Sequence, residues 1–368
     1  MIKVMQVLTD TNIGGAGIWL LNFLEYYDRE KLDVTVVIPT DSMLKARVEA
    51  LDVKIIEAEN IADKSFSKEG IMTLKEIISE EEPDVVHTHA SLSARIAAKL
   101  LKVPVINTRH CIEPKKNGLV RMAYRIINRT LSDRAVAVSE AVYRNLVEDG
   151  MAADKVTVIY NGVPGLKVLS DGERARVRAE LGLDGSLAVG IVARLEPVKN
   201  HMLFLEAAAA AHEINDKFRF VIVGSGSMEQ ILKAEVERRG LSDVVIFTGY
   251  LEDTTGVMNA FDINVLTSDR EALSISLIEG MSVGKPCITT DAGGTREVVE
   301  NGRSGIVVPV GDAVNLTAAI LRLASDPELM SEYAKEGMRI AKEKFLPSEM
   351  CEKLVCLYEE TASSGKGE

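Results

Sequence analysis

Cysteine, aromatic residues and long apolar runs are all scarce in this chain. Its 368 residues include four cysteines, and these lack the paired spacing of metal ligands. A chain with so few thiols needs no disulfide framework, and we expect them to be reduced and mostly structural. No 18 apolar residues run together, and the first residues have the pattern of a strand rather than of a signal peptide. The sequence therefore predicts a cytoplasmic protein and leaves open a peripheral contact with the inner face of a membrane.

Basic residues are also in deficit. The chain has 43 Lys and Arg against 55 Asp and Glu, for a formal net charge of -12. Because binding to a phosphate backbone depends on clustered Lys and Arg, this balance argues against a general nucleic-acid binder. With 46% hydrophobic and 27% charged residues, the composition is that of an ordinary globular enzyme, and the length suggests two domains.

Short β-branched runs alternate with helical stretches in two series. The first series is 2–8, 34–38, 53–56, 85–87, 105–108, 135–138 and 156–159, and the second is 188–193, 218–223, 244–247, 263–266, 286–289 and 306–308. Such alternation predicts an α/β protein with two doubly wound parallel sheets, each covered by helices on both faces.

The expected domain limits follow from the segment between the two series. Residues 161–165 and a charged helix over 172–181 suit a hinge, so we predict an N-terminal domain at 1–165 and a C-terminal domain at 166–345. Residues 346–368 carry a helical apolar pattern, which predicts a helix that packs back towards the N-terminal domain and ends in a polar tail from Thr361.

The segment Glu271-Ala-Leu-Ser-Ile-Ser-Leu-Ile-Glu279 places two carboxylates eight positions apart after the predicted strand 263–266. A helix from about Ser274 leaves Glu271 in the loop ahead of it and Glu279 one to two turns inside. The start of a helix offers unpaired NH groups to an anion, and a carboxylate deeper in can accept hydrogen bonds from a sugar diol. Acidic residues beside a surface helix are common, so this pattern has weight only together with the other loops.

Three further loops follow predicted strands, where ligands of open parallel sheets bind. Asn12-Ile-Gly-Gly-Ala-Gly17 precedes a helix expected near Ile18, and Gly224-Ser-Gly226 follows another predicted strand. Neither loop fits the dinucleotide-binding fingerprint, and a tight turn between strand and helix explains each loop as well as a ligand-binding role does. Arg194-Leu-Glu-Pro-Val-Lys-Asn200 puts two cations in one loop, suited to neutralising a departing diphosphate.

Histidines form a separate set. His110 follows the predicted strand 105–108, where it could hydrogen-bond a sugar hydroxyl. His87 and His89 share a strand face and could suggest a metal. Because no third ligand is near them in sequence, we favour a structural role or the lining of a cleft.

Together, these motifs and Asp291-Ala-Gly-Gly-Thr-Arg-Glu297 resemble glycosyltransferase family 4, the retaining glycosyltransferases of GT-B fold (glycosyl transferases group 1). The likeness spans almost the whole chain, and Arg-x4-Lys combined with Glu-x7-Glu is specific. The resemblance implies two facing Rossmann-like domains, with the acceptor held mainly by the first and the sugar nucleotide mainly by the second. One departure is Leu273-Ser274, where many members have Phe-Gly.

The resemblance also implies residue roles. Arg194 and Lys199 would hold the donor diphosphate, Glu279 the ribose, and Glu271 the transferred sugar. The remaining contacts would be Gly15 at the β-phosphate, His110 at the sugar, Gly224 in a donor-side loop, Leu251 at the base, and the NH groups of Leu273, Ser274 and Ile275 beside Glu271.

The implied reaction moves a sugar from a nucleotide-diphosphate sugar, most often a UDP-sugar, to a hydroxyl of a glycan, a lipid-linked acceptor or another acceptor, with retained anomeric configuration. Cell-surface polysaccharide or glycolipid synthesis is the expected setting. No Asp-x-Asp occurs in the sequence, so the usual metal motif of the other large glycosyltransferase fold is missing and no metal or other cofactor is expected.

A locally basic segment runs from Arg109 to Arg134, with seven Lys or Arg against two acids. Arg121, Arg125 and Arg129 would share one helical face. The plain interpretation is the solvated face of a buried helix. The sharper hypothesis is a surface for anionic lipid headgroups or for a phosphate-bearing acceptor.

Three other classes stay open. A GT-B-fold sugar-nucleotide epimerase shares the architecture, and a nicotinamide-dependent oxidoreductase is suggested by the glycine loops alone. A non-catalytic glycan-binding protein would be expected to lack Arg194, Lys199 or Glu271, yet all three are present.

Overall fold

The computed structural model describes residues 1–365 and divides them into two compact units. The first unit comprises Met1–Val163 together with the chain from Phe345 onward, and the second comprises Pro164–Lys344. Residues 366–368, the end of the expected tail, lie outside the described residues.

The first unit is built on a parallel sheet of seven strands in the order β3-β2-β1-β4-β5-β6-β7. Its strands are β1 (Ile2–Val7), β2 (Leu32–Pro39), β3 (Lys54–Ala58), β4 (Val85–Thr88), β5 (Val105–Arg109), β6 (Arg134–Ala137) and β7 (Val156–Val158). Its helices up to the boundary are α1 (Gly15–Tyr26), α2 (Lys45–Glu49), α3 (Lys68–Glu81), α4 (Leu92–Leu100), α5 (Gly118–Thr130) and α6 (Glu140–Glu148).

The second unit has a six-stranded parallel sheet in the order β10-β9-β8-β11-β12-β13. The strands are β8 (Leu187–Val192), β9 (Phe218–Val223), β10 (Val245–Gly249), β11 (Ile263–Leu266), β12 (Cys287–Thr290) and β13 (Gly305–Val308). The helices are α7 (Asp171–Glu180), α8 (His201–Ile214), α9 (Glu229–Arg238), α10 (Thr255–Ala260), α11 (Ile275–Ser282), α12 (Thr295–Val298), α13 (Ala313–Ser325) and α14 (Pro327–Lys344).

The last helix, α15 (Pro347–Gly365), returns the chain to the first unit. Its buried side chains, including Leu354 and Tyr358, join the core cluster that Trp19 and Phe23 of α1 form. At its start the backbones pass so closely that a Cβ on Gly162 would lie 2.5 Å from Cα of Pro347. Only glycine fits there, so the last helix is fixed against the end of the N-terminal segment.

The α/β class with two parallel sheets is confirmed, because the helix-covered, β-branched strands occur where the alternating pattern put them. Two helix ends differ. Helix α1 begins at Gly15 rather than near Ile18, and α15 continues through Gly365, so Thr361 is buried in a helix rather than placed in a tail. None of the helices within residues 1–365 is both long and apolar enough to cross a membrane.

Each sheet reverses its strand order once: between β1 and β4 in the first unit, and between β8 and β11 in the second. Open parallel sheets bind ligands beyond the carboxyl ends of the strands at such a reversal. The loops after β8 and β11 hold Arg194, Lys199 and Glu271, and the loop after β1 leads into Gly15.

Candidate functional site

In the second unit, the loops after β8 and β11 are joined by hydrogen bonds. The backbone NH of Asp269 donates to the carbonyl of Val198 at 2.8 Å, and the Thr267 hydroxyl donates to the carbonyl of Lys199 at 2.9 Å. The Asn200 amide, in a left-handed residue that caps α8, donates to an Asp269 carboxylate oxygen at 2.8 Å. The two loops therefore hold a single geometry at the switch point of the sheet.

Lys199 and Glu271 form an ion pair between these loops, from Nζ to Oε2, and their side chains are 17% and 12% exposed. The Ser268 hydroxyl donates to the same carboxylate oxygen at 3.1 Å. The backbone of Glu271 is fixed as well, since its carbonyl accepts from the NH of Gly294 at 2.9 Å. An ammonium has three donors, so Lys199 keeps hydrogen-bonding capacity for an anion while it orients Glu271.

Arg194 lies exposed near the start of the loop after β8, which packs on the glycine loop after β9. The NH of Leu195 donates to the carbonyl of Ser225 at 2.9 Å. Gly224 has φ +136°, and a Cβ there would lie 2.1 Å from the carbonyl oxygen of Ala193. The fold thus requires glycine at position 224. Packing alone accounts for this residue, whether or not it also binds the donor as predicted.

Helix α11 begins directly after this loop. Ser274 caps it, its hydroxyl accepting from the NH of Leu277 at 3.3 Å, while Leu273 and Ser274 are buried and Ile275 is half-buried. The first NH groups of a helix have no partner within the helix and carry the positive end of its dipole. The N-terminus of α11 can therefore bind an anion beside Glu271.

Glu279 is the fifth residue of α11. Burial raises the pKa of Glu279 to about 7, an effect partly opposed by a hydrogen bond with Thr254. A carboxylate that gains a proton this easily is poorly solvated in the free protein, so hydroxyl donors from a ligand would stabilise its charged form. Leu251, half-buried, follows β10.

The first unit holds a cluster of histidines whose hydrogen bonds fix their tautomers. The Gln6 side-chain NH₂ donates to the Tyr358 hydroxyl at 2.8 Å, so its oxygen accepts from Nε2 of His89 at 3.1 Å. Nδ1 of His89 then has no proton and accepts from Nε2 of His110 at 2.8 Å. His110 is left with Nδ1 as an acceptor, able to take a hydrogen bond from a hydroxyl.

His87 completes the cluster. Nδ1 of His87 lies 2.6 Å from the Tyr358 hydroxyl and its Nε2 lies 2.6 Å from the Thr108 hydroxyl. The Trp19 ring packs against all three imidazoles, with centroid distances of 5.6, 4.9 and 5.6 Å to His87, His89 and His110.

Burial keeps these imidazoles neutral. It lowers the pKa of His87 and of His110 to about 3, and that of His89 well below its usual range. Within the described part of the chain, no three His, Cys, Asp or Glu side chains are grouped so as to hold a metal ion. The cluster is thus a neutral hydrogen-bonding network.

Gly15 is the first residue of α1. A Cβ on Gly15 would have no atom within 4 Å, and the residue does not have positive φ. The protein's own packing therefore places no demand for glycine there, unlike at Gly224.

Arg121, Arg125 and Arg129 lie along α5, which the structure shows to be exposed rather than buried. The expectation of a buried helix with one solvated face is therefore wrong, because in α5 only Asn128 is buried.

In the second unit, the loops after β8, β9, β10 and β11 hold Arg194, Lys199, Gly224, Leu251, Glu271, Leu273 and Ser274, and helix α11 holds Ile275 and Glu279. Gly15 and His110 lie in the first unit. Sequence reasoning missed Gln6 and Tyr358, which are 352 positions apart and meet only because α15 returns to the first sheet. Ser268, the hydroxyl partner of Glu271, was also missed, although its position three residues before a marked glutamate was a signal.

Two sequence models match the chain. One described as Glycosyltransferase Family 4 matches residues 13–164, and one described as Glycosyl transferases group 1 matches residues 173–339.

Two named relatives are similar over most of their length. UDP-Gal:alpha-D-GlcNAc-diphosphoundecaprenol alpha-1,3-galactosyltransferase of Escherichia coli is 28% identical over 350 residues, covering 89% of each chain. N-acetyl-alpha-D-glucosaminyl L-malate synthase of Bacillus anthracis is 25% identical over 301 residues, covering 78% of this chain and 76% of the relative. Anabaena HepE, solved in complex with UDP-glucose, is similar in fold with a TM-score of 0.85 at 23% identity, over 99% of this chain and 100% of that one.

Proposed function

Since this chain belongs to glycosyltransferase family 4 and is a glycosyltransferase of the GT-B type, we propose that it transfers a sugar from a UDP-sugar to a hydroxyl acceptor with retained anomeric configuration. The observation that carries this proposal is the Lys199–Glu271 pair at the switch point of the second sheet. UDP as the carrier is supported by the names of the galactosyltransferase and of the HepE complex.

In the proposed reaction, Arg194, Lys199 and the first NH groups of α11 hold the diphosphate. As the bond between the anomeric carbon and the phosphate oxygen breaks, these groups stabilise the negative charge that develops on the leaving group. The acceptor oxygen bonds to the anomeric carbon on the same face, and its proton passes to the departing phosphate. Glu271, oriented by Lys199, contacts the transferred sugar.

Glu279 binds the ribose in this proposal. Its carboxylate, whose pKa burial raises to about 7, would gain hydrogen bonds from the two ribose hydroxyls. Base contacts would come from the backbone near Leu251. Gly15 and His110 remain predicted donor contacts contributed by the first unit.

For the acceptor, we propose a glycan or a lipid-linked glycan in cell-surface polysaccharide or glycolipid synthesis. The name of the Escherichia coli relative, which includes a diphosphoundecaprenol-linked sugar, supports this class. L-malate in the name of the Bacillus anthracis relative shows that acceptors differ among relatives, so the acceptor must be identified by assay.

We further propose that no metal is required, because Arg194 and Lys199 supply the cationic charge that a divalent ion would otherwise bring to the diphosphate. Turnover should therefore be unchanged by a chelator. Loss of turnover with the chelator and its recovery with manganese would contradict this.

The test of the donor site is thermal stabilisation of the purified protein by UDP, GDP, ADP, NAD and their common sugar conjugates. We expect a shift with UDP and a UDP-sugar that is weakened in Lys199→Ala and in Glu279→Ala. The matched control is Lys167→Ala, which removes an exposed ion pair with Glu173 from the same unit and should keep the shift.

Other results would favour other classes. A shift from NAD alone would indicate an oxidoreductase, and turnover of the donor without any acceptor would indicate an epimerase. Absence of a shift from every sugar nucleotide would overturn the donor site.

A further inference from the structure

Helix α5 exposes large apolar side chains to solvent. Leu119 is 89% exposed, Met122 55% and Ile126 56%, and of the thirteen residues of α5 only Asn128 is buried. Leaving three such side chains in water on one short helix is unfavourable unless another apolar surface covers them.

Three of the exposed apolar side chains form one stripe. Leu119, Met122 and Ile126 follow the i, i+3, i+7 spacing that puts side chains on one face of a helix. We call them the apolar stripe. Arg121 and Arg125 lie one turn apart on its flank, and the helix carries no acidic residue.

The opposite edge of α5 attaches the helix to its own unit. The Asn128 amide donates to the carbonyl of Asp149 at 3.2 Å and its oxygen accepts from Arg95 at 3.2 Å. On the arginine flank, Arg129 donates to the carbonyl of Gly150 at 3.1 Å. Because these bonds fix the helix along its opposite edge and along this flank, the apolar stripe is held outward.

We propose that α5 lies on the surface of an anionic lipid bilayer, with the apolar stripe at the boundary between headgroups and acyl chains. An interfacial helix combines an apolar face with flanking basic residues that reach lipid phosphates, which is the arrangement of Arg121 and Arg125 beside the stripe. Charge complementarity favours an anionic membrane over a neutral one. Helix α5 carries three arginines and no acidic residue, although the whole chain has a net charge of -12. This inference goes beyond the proposed function, because it would hold for any donor or acceptor.

Vesicle flotation tests the proposal. The wild type should float with vesicles that contain phosphatidylglycerol, float less with phosphatidylcholine alone, and lose binding as salt is raised. Both the triple variant Leu119→Asn/Met122→Asn/Ile126→Asn and the double variant Arg121→Gln/Arg125→Gln should bind about tenfold less strongly. As a matched control, Ile214→Asn/Val314→Asn removes two apolar side chains that are 67% and 80% exposed in the second unit, and it should float like the wild type.

A second measurement does not depend on destabilising substitutions. Leu119→Trp places an indole at the most exposed position of the stripe, while the native Trp19 is fully buried. Its fluorescence should shift to shorter wavelength when phosphatidylglycerol vesicles are added.

Three results would overturn the proposal: wild type that stays at the bottom with phosphatidylglycerol vesicles, variants that float as well as the wild type, or fluorescence of the Leu119→Trp variant that does not shift. A vesicle-free dimer that the triple variant abolishes would instead assign the stripe to a second copy of this chain. Each variant should keep its thermal shift with UDP. A variant that floats like the wild type but no longer shows this shift would count against the proposed function and not against membrane binding.

Discussion

Two clusters of polar side chains, one in each unit, lie near the carboxyl ends of strands and differ in electrostatic form. In the second unit the half-buried Lys199 ammonium contacts the Glu271 carboxylate, so this cluster is charged and paired. In the first unit the histidine cluster is neutral, since burial holds the pKa of His110 at about 3 and a network of uncharged hydrogen bonds runs from His110 to Tyr358.

The two forms suit different ligand groups. A diphosphate gains charge as it departs, and fixed cations and helix NH groups stabilise that charge. A sugar hydroxyl is neutral, and a neutral imidazole can accept its hydrogen bond without the desolvation cost of a buried charge. The comparison predicts that substitution of Lys199 mainly affects turnover, whereas substitutions in the histidine network affect stability as well.

The largest effect should come from Lys199→Gln. This change keeps a hydrogen-bond donor but removes the charge that the proposed reaction places beside the leaving phosphate, and it leaves Glu271 without its ion pair. We expect kcat to fall by about 10²–10³-fold, the usual range for losing one group that stabilises transition-state charge. Steady-state kinetics with the donor identified by thermal shift would measure it.

The control for Lys199→Gln is Lys167→Gln, which breaks an ion pair whose lysine side chain is 68% exposed. Its kcat should equal that of the wild type, because exposed pairs contribute little. If Lys199→Gln also turned over at the wild-type rate, the charged half of the comparison would be wrong.

The next effect should come from His89→Phe. The ring is replaced by one without hydrogen-bonding groups, so the Gln6 oxygen and Nε2 of His110 lose their partner inside the protein. Each unsatisfied buried group costs about 1–3 kcal/mol, so for two groups we expect a loss of about 2–6 kcal/mol in unfolding free energy, measured by denaturant titration.

A matched histidine in the second unit gives the contrast. His201 is also buried, yet among residues 1–365 neither of its ring nitrogens has a hydrogen-bond partner. His201→Phe removes no hydrogen bond, so it should cost less stability than His89→Phe. Equal losses would mean that ring packing, rather than the hydrogen-bonded network, accounts for the stability.

The contrast between the histidines also shows where sequence reasoning ends. Strand positions were predictable because β-branched runs between helices have few other interpretations, and the loops that follow them were predictable from the rule for open parallel sheets. The positions of Glu271 in a loop and of Glu279 inside a helix were predictable as well, because the two residues are eight positions apart and Ser274 between them marks the start of the helix.

Contacts between distant segments were not predictable. Gln6 and Tyr358 meet because α15 packs against the first sheet, and nothing local in either segment marks a buried amide or a buried phenol as partners. The exposure of α5 was missed for the same reason: its apolar pattern is that of a packed helix, and only the tertiary structure shows that no described element covers Leu119.

A smaller effect, and one that depends on pH, should come from Glu279→Gln. Burial raises the pKa of Glu279 to about 7, so the folded protein holds this proton more tightly than the unfolded chain does. The wild type therefore loses stability as the pH rises from about 4.5 to about 7, by about 3 kcal/mol, and the loss is constant above that. Relative to the wild type, Glu279→Gln should be more stable at pH 8 and little changed at pH 4.5.

The opposite sign is expected at Glu173, whose pKa hydrogen bonds from Ser170 lower to about 2. Glu173→Gln should lose stability relative to the wild type at pH 8, and this difference should shrink as the pH falls towards 2. Thermal unfolding across this pH range would test both signs. A pH-independent difference for Glu279→Gln would mean that this carboxyl is ionised throughout and needs no ligand to hold its charge.

The smallest expected effect on stability is that of Gly15→Ala, which we compare with Gly224→Ala to separate a glycine required by a ligand from one required by the fold. Gly224→Ala would press a Cβ against the Ala193 carbonyl at a positive φ, so it should lower the melting temperature and yield of folded protein.

Gly15→Ala meets no atom within 4 Å and places a better helix former at the start of α1, so the melting temperature should be unchanged or slightly higher. If the donor phosphate approaches this backbone, the added methyl should still reduce kcat/KM about tenfold, or about 1.4 kcal/mol. Full kcat/KM in a stable Gly15→Ala variant would remove Gly15 from the donor site and leave donor binding to the charged loops of the second unit.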